Sequence, residues 1–389
     1  MVNINRTLKE GINNMKFVLA PDSFKESMTA KEAAEAMERG IKKAIPDAEC
    51  IKVPMADGGE GTVQSLVDAT DGEIIEVEVT GPDCNKVKAV YGILGDGKTA
   101  VIEMASASGI HLVKKEKRNP LYTTTYGTGE LIKSALNKGV TNILIGIGGS
   151  ATNDGGSGML EALGAKFYDK YGDELAFGGG ALEKLEKIDL SNFDERLKDV
   201  NIEVACDVNN PLTGENGASY IFGPQKGATE EMVKHLDNSL KNYAKVIREQ
   251  LGCDVENVPG AGAAGGLGAG LMAFLDADLR KGVELVIKYT KLEEKMQGAD
   301  YVFTGEGSMD SQTVFGKTPF GVSTVAKKYN IPTIAFAGRI GDGVEELYKH
   351  GINSIVGILQ GVTNLDEALR NGSENIQKTS ENIARILNI

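Results

Sequence analysis

Apolar positions open the chain in short runs separated by polar stretches. KFVLA at 16–20 is one such run and predicts a buried strand. TAKEAAEAMERGIKKAI at 29–45 predicts a helix, because Thr29 and Glu32 have the capping-box spacing at its start and Pro46 stops it. ECIKV at 49–53 predicts a second strand. Strand, loop, helix, strand is the grammar of an α/β sheet. The C-terminal third resumes it. DYVFTGE (300–306) reads as strand then loop, FGVSTVAKKYN as a helix and PTIAFAG (332–338) as a strand. VEELYKHG then reads as a helix, SIVGIL (354–359) as a strand and the tail from Leu365 as a helix. Such alternation predicts a parallel, Rossmann-like sheet.

The middle of the chain departs from this rhythm. EIIEVEV, VKAVYGIL and TAVIEMA follow one another within 73–105, with turns at Gly81-Pro82 and Gly95-Asp96-Gly97, which predicts an antiparallel meander. NILIGIGG (142–149) and NIEVACDV (201–208) add strands, and a long helix is expected from Thr229 to Gly252, its first turn suited by Glu230 and Glu231. The fold class expected is therefore α/β: a Rossmann-like parallel-sheet domain with a second α/β domain of mixed sheet inserted in it. Residues 15–60 with 290–389 would form the first domain and 61–289 the second. Residues 1–14 precede a second methionine, Met15, and lack the apolar stretch of a secretory signal; they are expected to be a disordered extension.

Composition narrows the function classes. The 389 residues suit two domains at about 150 residues each. A formal net charge of −13 speaks against nucleic acid and anionic membranes as partners, which need stripes of Lys and Arg. It leaves room for a small anionic substrate held by a local basic or N–H-lined pocket. Four cysteines without a CxxC pair and three dispersed histidines give no zinc pattern and read as reduced thiols of a cytoplasmic protein. The uncharged window Val258–Leu275 is filled with Gly and Ala and is followed by Asp276 and Asp278, so it reads as a loop and buried helix, not a membrane span.

Several familiar fingerprints nearly match and fail. GAGAAG (260–265) has the GxGxxG spacing, but ENVP before it is no strand. GIGGSA (146–151) follows a strand, yet no acid stands on a second strand to bind a ribose, since Asp169 lies in a polar stretch. SQTVFGKT (311–318) ends like a Walker A loop but carries Ser311 in place of the first glycine. GxSxG is absent.

What remains is a set of acid–glycine loops at the carboxyl ends of expected strands. APDSFKES (20–27) carries Asp22, Ser23 and Lys25, and ADGGEGT (56–62) carries Asp57 and Glu60. GGSATNDGG carries Gly148, Gly149, Ser150, Thr152 and Asp154; CDVNNPLTG (206–214) carries Asp207 and Asn209. TGEGSMDSQT (304–313) carries Glu306 and Asp310, with Lys317 just beyond at a helix start. Any one of these is an ordinary turn. Five of them, with lysines and no histidine, suit phosphoryl transfer: carboxylates for Mg²⁺ and for the proton of an attacking hydroxyl, and N–H groups and lysines for phosphate oxygens. ADGGEGTVQSLV and NDGGSGMLEAL also echo one another, each setting Asp-Gly-Gly-x-Gly ahead of a helix.

The ordered set PDSFK, ADGGEGT, GTGELI, GIGGSATNDGG, ACDV with NPL, GAAGGLG, and TGEG running to GK.P.GV resembles the glycerate kinase family of glyoxylate and galactarate catabolism from Met15 onward. That resemblance implies a two-domain α/β enzyme that phosphorylates D-glycerate with ATP and Mg²⁺, at the 2-hydroxyl in this branch. Two positions depart from the family pattern: Glu26 stands where glycine is common, and Thr213 where cysteine is frequent.

From their chemistry, Asp207 and Asp310 are expected to hold Mg²⁺ and accept the proton, and Lys25 to act with them in catalysis. Asp22, Ser23, Asp57, Asn209, Glu306 and Lys317 are expected on the substrate. Gly148, Gly149, Ser150, Thr152, Asp154, Gly265 and Gly266 are expected on the phosphates of ATP bound in an interdomain cleft. Alternative readings are a 3-kinase, a nicotinamide-dependent oxidoreductase using GIGGSA, and a non-catalytic nucleotide binder. A homo-oligomer is left open.

Overall fold

The computed structural model describes residues 15–389; the extension 1–14, expected to be disordered, lies outside the described residues. In chain order the strands are β1 (Lys16–Pro21), β2 (Glu49–Lys52), β3 (Glu73–Thr80), β4 (Lys86–Ile93), β5 (Thr99–Glu103), β6 (Asn142–Gly146) and β7 (Lys166–Tyr168). They continue as β8 (Lys187–Asp189), β9 (Asn201–Ala205), β10 (Asp278–Arg280), β11 (Tyr301–Met309), β12 (Thr333–Ile340) and β13 (Ile352–Gly357). The chain divides into two compact units, one made of residues 15–55 with Lys291–Ile389, the other of Ala56–Thr290. No helix among the described residues is long and apolar enough to cross a membrane.

The first unit is built on a five-stranded sheet in the order β13-β12-β11-β1-β2, parallel at every pairing. β1 is buried from Phe17 onward, as a parallel strand covered on both faces must be. The helix Ala30–Ala44 starts on the expected capping box: the Glu32 N–H donates to Thr29 Oγ1 and the Thr29 N–H to the Glu32 carboxylate. Its buried face, including Ala33, Met37 and Ile41, joins Ile376 and Ala384 of the helix Gly372–Leu387 in one core. Gly40 allows the close approach, since a Cβ there would stand 2.3 Å from the Gln377 carbonyl oxygen.

Three elements differ from the sequence expectation. β11 does not end near 304; it runs on through Glu306 to Met309, with Glu306 opposite Ala337 and Ser308 opposite Arg339 on β12. Two glycines weaken its strand signal, and pairing with β12 overrides them. VEELYKHG forms a 3₁₀ helix, Val344–His350, and the tail splits into Leu365–Arg370 and Gly372–Leu387.

The second unit carries a six-stranded mixed sheet in the order β10-β9-β6-β5-β4-β3. β3, β4 and β5 form the antiparallel meander, while β5, β6, β9 and β10 are parallel. The long helix spans Glu230–Leu251 between Thr229 and a left-handed Gly252 at φ 70°. It places Leu240, Tyr243 and Ile247 in a core with Phe167, Leu160 and Leu267. The helix Ala263–Leu275 begins with three left-handed residues, Ala264, Gly265 and Gly266, so its regular part starts at Leu267.

Candidate active site

In the first unit the acid–glycine loops meet at the carboxyl ends of β1 and β11. Asp22 follows β1 directly; its Oδ1 accepts from the Ser23 N–H at 2.6 Å and its Oδ2 from the Thr318 hydroxyl at 2.6 Å. Lys25 and Glu26 form the exposed tip of a tight turn closed by two hydrogen bonds between Phe24 and Met28. Glu26 holds a left-handed backbone, φ 63°, which explains why glycine suits this family position.

Glu306 sits inside β11 with its side chain 12% exposed. Its Oε1 accepts from the Thr313 hydroxyl at 2.9 Å, and its Oε2 lies 3.4 Å from Lys317 Nζ. Burial pushes this carboxyl up to about 7; Lys317 and Thr313 pull it down, and the neighbouring Asp22 carboxylate pushes it further up. Asp310 is engaged in its own turn, with Oδ1 accepting from the Gln312 N–H at 2.9 Å and its N–H donating to Thr313 Oγ1. Lys317 is the N-cap residue of the helix Thr318–Lys328.

In the second unit Asp57 and Gly58 cross the carboxyl ends of β6 and β9. A Cβ on Gly146 would stand 3.0 Å from the Gly58 oxygen, and one on Gly58 would stand 3.0 Å from Ala205 Cβ and 2.5 Å from Gly282 Cα. Gly58 is left-handed, φ 93°, so the crossing needs glycine on both counts. Asp207, two residues beyond β9, accepts from the Gly282 N–H at 3.1 Å. Burial raises its pKa, the Gly282 bond opposes this, the Asp57 carboxylate raises it further, and the Lys281 ammonium lowers it. Asp57, Asp207 and Lys281 are thus electrostatic neighbours. Asn209 lies exposed in the loop that follows. Thr213, the second departure, donates to Glu256 Oε1 at 2.9 Å and so has a partner of its own.

The GIGGSATNDGG segment divides into two parts. Gly148 and Gly149 are exposed, and a Cβ on Gly148 would meet no atom within 4 Å. From Ser150 to Gly158 the segment is buried. Asp154 has no exposed surface; its Oδ2 accepts from the N–H and hydroxyl of Thr125, both at 2.8 Å, and from the Gly158 N–H, and its Oδ1 from the Gly156 N–H. Its oxygens are thus spent on partners within the chain, where the sequence had suggested a contact to phosphate. The Gly156 and Gly158 N–H groups at the start of the helix Ser157–Ala162 already have an acceptor within the chain, Asp154, whose pKa burial raises. Thr152 is likewise fully buried. Gly265 and Gly266, expected on the phosphates, lie against the same segment. A Cβ on Gly265 would fall 2.0 Å from the Thr152 oxygen and one on Gly266 3.0 Å from Gly155 Cα, so close packing alone already calls for glycine at both positions.

The echoed ADGGEGT loop repeats the device. Left-handed Gly61 precedes the helix Thr62–Thr70 as Gly156 precedes Ser157–Ala162. The Val63 N–H donates to Glu103 Oε1 at 2.9 Å, so this helix start is also occupied by a carboxylate of the chain.

Sequence reasoning missed Glu103, Lys281 and Lys226. Lys226 is 2% exposed, and its Nζ donates to Ser150 Oγ and to the Thr152 carbonyl, both at 2.6 Å. Burial pushes its ammonium down to about 7, against the pull of Asp154. No local pattern marks any of the three.

Each α/β unit collects carboxylates and lysines at strand ends with glycine-rich backbone beside them, an arrangement that suits group transfer of the phosphoryl type. The model of the glycerate kinase family matches residues 17–388. The chain is 56% identical to the glycerate 2-kinase of Escherichia coli K12, over 96% of this chain and 98% of that protein. It is 54% identical to the glycerate kinase of Bacillus subtilis 168, over 95% and 97%. The crystal structure of glycerate kinase 2 from Salmonella typhimurium LT2 matches with a TM-score of 0.90 and 52% identity, covering 97% of this chain and 99% of that one. The chain belongs to the glycerate kinase family, and it is a phosphotransferase.

Proposed function

We propose that the protein transfers the γ-phosphoryl group of ATP to the 2-hydroxyl of D-glycerate, with Mg²⁺. The observation that carries this reading is the grouping of Asp57, Asp207 and Lys281 at the carboxyl ends of β6 and β9, with the open Gly148–Gly149 backbone following β6. Exposed N–H groups of Gly148 and Gly149, together with Lys281, suit phosphate oxygens. The 2-position is supported by the name of the 56% identical Escherichia coli relative.

Mg²⁺ needs one or two carboxylates and takes its remaining ligands from phosphate and water. No cluster of three or more metal-ligating side chains exists among the described residues, which suits that mode and not an all-protein cage. Asp207 fits: the neighbouring Asp57 carboxylate raises its proton affinity, and a cation would stabilise its ionised form. Bound there, the ion would neutralise charge on the phosphates. Asp310, with Oδ1 committed to its turn, is left to order the 310–313 loop. Lys25, Ser23 and Lys317 supply donors for the glycerate carboxylate. The four cysteines are free thiols, in keeping with a cytoplasmic enzyme.

The test is ADP release from D-glycerate and Mg-ATP, with product coupled to enolase alone. Enolase signal without added phosphoglycerate mutase supports 2-phosphoglycerate. A requirement for the mutase replaces it with 3-phosphoglycerate. No release above background, or loss of the signal's dependence on Mg²⁺, overturns the reaction or its metal.

A further inference from the structure

Glu306 is poorly suited to gripping substrate as the sequence suggested. Glycerate is an anion, and a carboxylate beside it repels the substrate's own carboxylate. What a carboxylate offers an anionic alcohol is a place for the hydroxyl proton. The geometry around Glu306 fits that task. Thr313 Oγ1 takes the Asp310 N–H at 3.2 Å, so its own hydrogen is committed to Glu306 Oε1 at 2.9 Å. This relay fixes one carboxylate oxygen, and the other lies 3.4 Å from Lys317 Nζ. The carboxyl is held on a paired strand and not on a loop.

Resting on the glycerate kinase reading above, we infer that Glu306 is the proton acceptor of the reaction and that Thr313 is its positioning residue. The hydroxyl O–H bond breaks with its proton passing to a Glu306 carboxylate oxygen. That hydroxyl oxygen bonds to the γ-phosphorus, and the bond from the γ-phosphorus to the bridging oxygen breaks, its electron pair leaving with ADP. Glu306 then gives the proton to water. Asp310 is less suited to the task, because its Oδ1 is spent on the Gln312 N–H and a turn depends on it. The charged groups facing Glu306 are Lys317 and Asp22, and their opposed effects leave burial to set its proton affinity, up to about 7. A base with that affinity is half ionised near neutrality, where general-base catalysis is efficient.

The experiment measures kcat, KM for D-glycerate and the pH profile of the wild-type enzyme, E306Q, E306D and T313V. Wild-type kcat is expected to fall as pH drops through about 7. E306Q keeps an oxygen for Thr313 but cannot take a proton; its kcat is expected to fall about 10²–10⁴-fold with KM changed less than about threefold. E306D is expected to recover part of kcat. T313V removes a bond that stabilises the carboxylate, so its acidic limb is expected to move to higher pH. If E306Q does not fold, T313V decides, and an unmoved limb overturns the inference. An E306Q enzyme that keeps a third of wild-type kcat also overturns it while the kinase reading stands. A wild-type enzyme that releases no ADP with glycerate overturns the kinase reading and this inference together.

Discussion

Lys226 donates to the Ser150 hydroxyl at 2.6 Å from a side chain that water scarcely reaches. The same ammonium holds the Thr152 carbonyl. Ser150 and Thr152 follow the open Gly148–Gly149 pair, so one buried lysine anchors the floor of the segment proposed to receive phosphate. Lys226→Met keeps the length of the side chain and removes the donors. A buried carbonyl left without its donor costs about 1–3 kcal/mol. The expected result is a fall in melting temperature together with a KM for ATP raised about tenfold, with KM for glycerate moved much less. An unchanged KM for ATP in a folded variant shows that this anchor does not set phosphate binding.

Glu161 gives a prediction that does not depend on the reaction. Burial pushes its carboxyl up to about 8, and the carboxylates of Asp154 and Glu174 push in the same direction. Glu161 lines a groove with Tyr126, Lys166, Phe167, Glu174 and Phe177, in which Lys166 is paired with Glu174. The folded state holds this proton up to about pH 8, while the unfolded chain releases it near its ordinary value of 4.5. The folded state therefore binds more protons between these values, and stability falls as pH rises through that window. Glu161→Gln is expected to raise stability at pH 8 by roughly 1–3 kcal/mol once partial exposure is discounted, and to change little at pH 4.5. Denaturant melts at the two pH values measure it, and equal effects at both sink the explanation.

These two residues also mark the limit of what the sequence reveals. The loops that carry Asp22, Asp57, Asp207 and Glu306 were legible because strand, acid and glycine are neighbours in sequence. Asp154 shared that signature and proved structural. Its role is set by Thr125, 29 residues away in the chain, and by burial, which local pattern does not encode. Gly265 is ambiguous in sequence for a similar reason. Close backbone packing and a nucleotide both call for glycine, and at Gly265 the packing alone already demands it. Lys226 lies in FGPQKGA, where nothing distinguishes a buried lysine from a solvated one. Glu306 was legible as a site residue, but its task was not, because that depends on Thr313 and on β11 running past its glycines.

The crossing of Gly58 and Gly282 predicts a different failure. A Cβ on Gly282 would lie 2.0 Å from the Asp57 carbonyl oxygen and 2.6 Å from Gly58 Cα, against backbone and not against a flexible side chain. Gly282→Ala must push the Asp57 turn away from the Gly282 N–H that holds Asp207. Overpacking of this kind costs about 1–3 kcal/mol, which a fold of this size survives. Activity is expected to fall by at least about 100-fold, since displacements near 1 Å have effects of that order. A folded Gly282→Ala enzyme with wild-type kcat/KM would mean that Asp57 and Asp207 need not be held together.

Gly148 and Gly149 separate ligand contact from backbone strain. Gly149 has φ 73°, so Gly149→Val strains the chain, and its expected loss of turnover mixes the two causes. Gly148 has no positive φ, and a Cβ there would meet no protein atom within 4 Å. Gly148→Ala is therefore expected to leave the melting temperature essentially unchanged, within the roughly ±0.5 kcal/mol of ordinary surface substitutions. The added methyl would occupy space that a phosphate needs in order to reach the backbone N–H groups. The expected signature is an unaltered fold with KM for ATP raised about tenfold or more, read from initial rates at saturating glycerate. Were Gly148→Ala to bind ATP as the wild type does, the phosphates would have to rest elsewhere. Lys281 would then be the group to substitute next, because its ammonium serves phosphate without needing the Gly148 backbone.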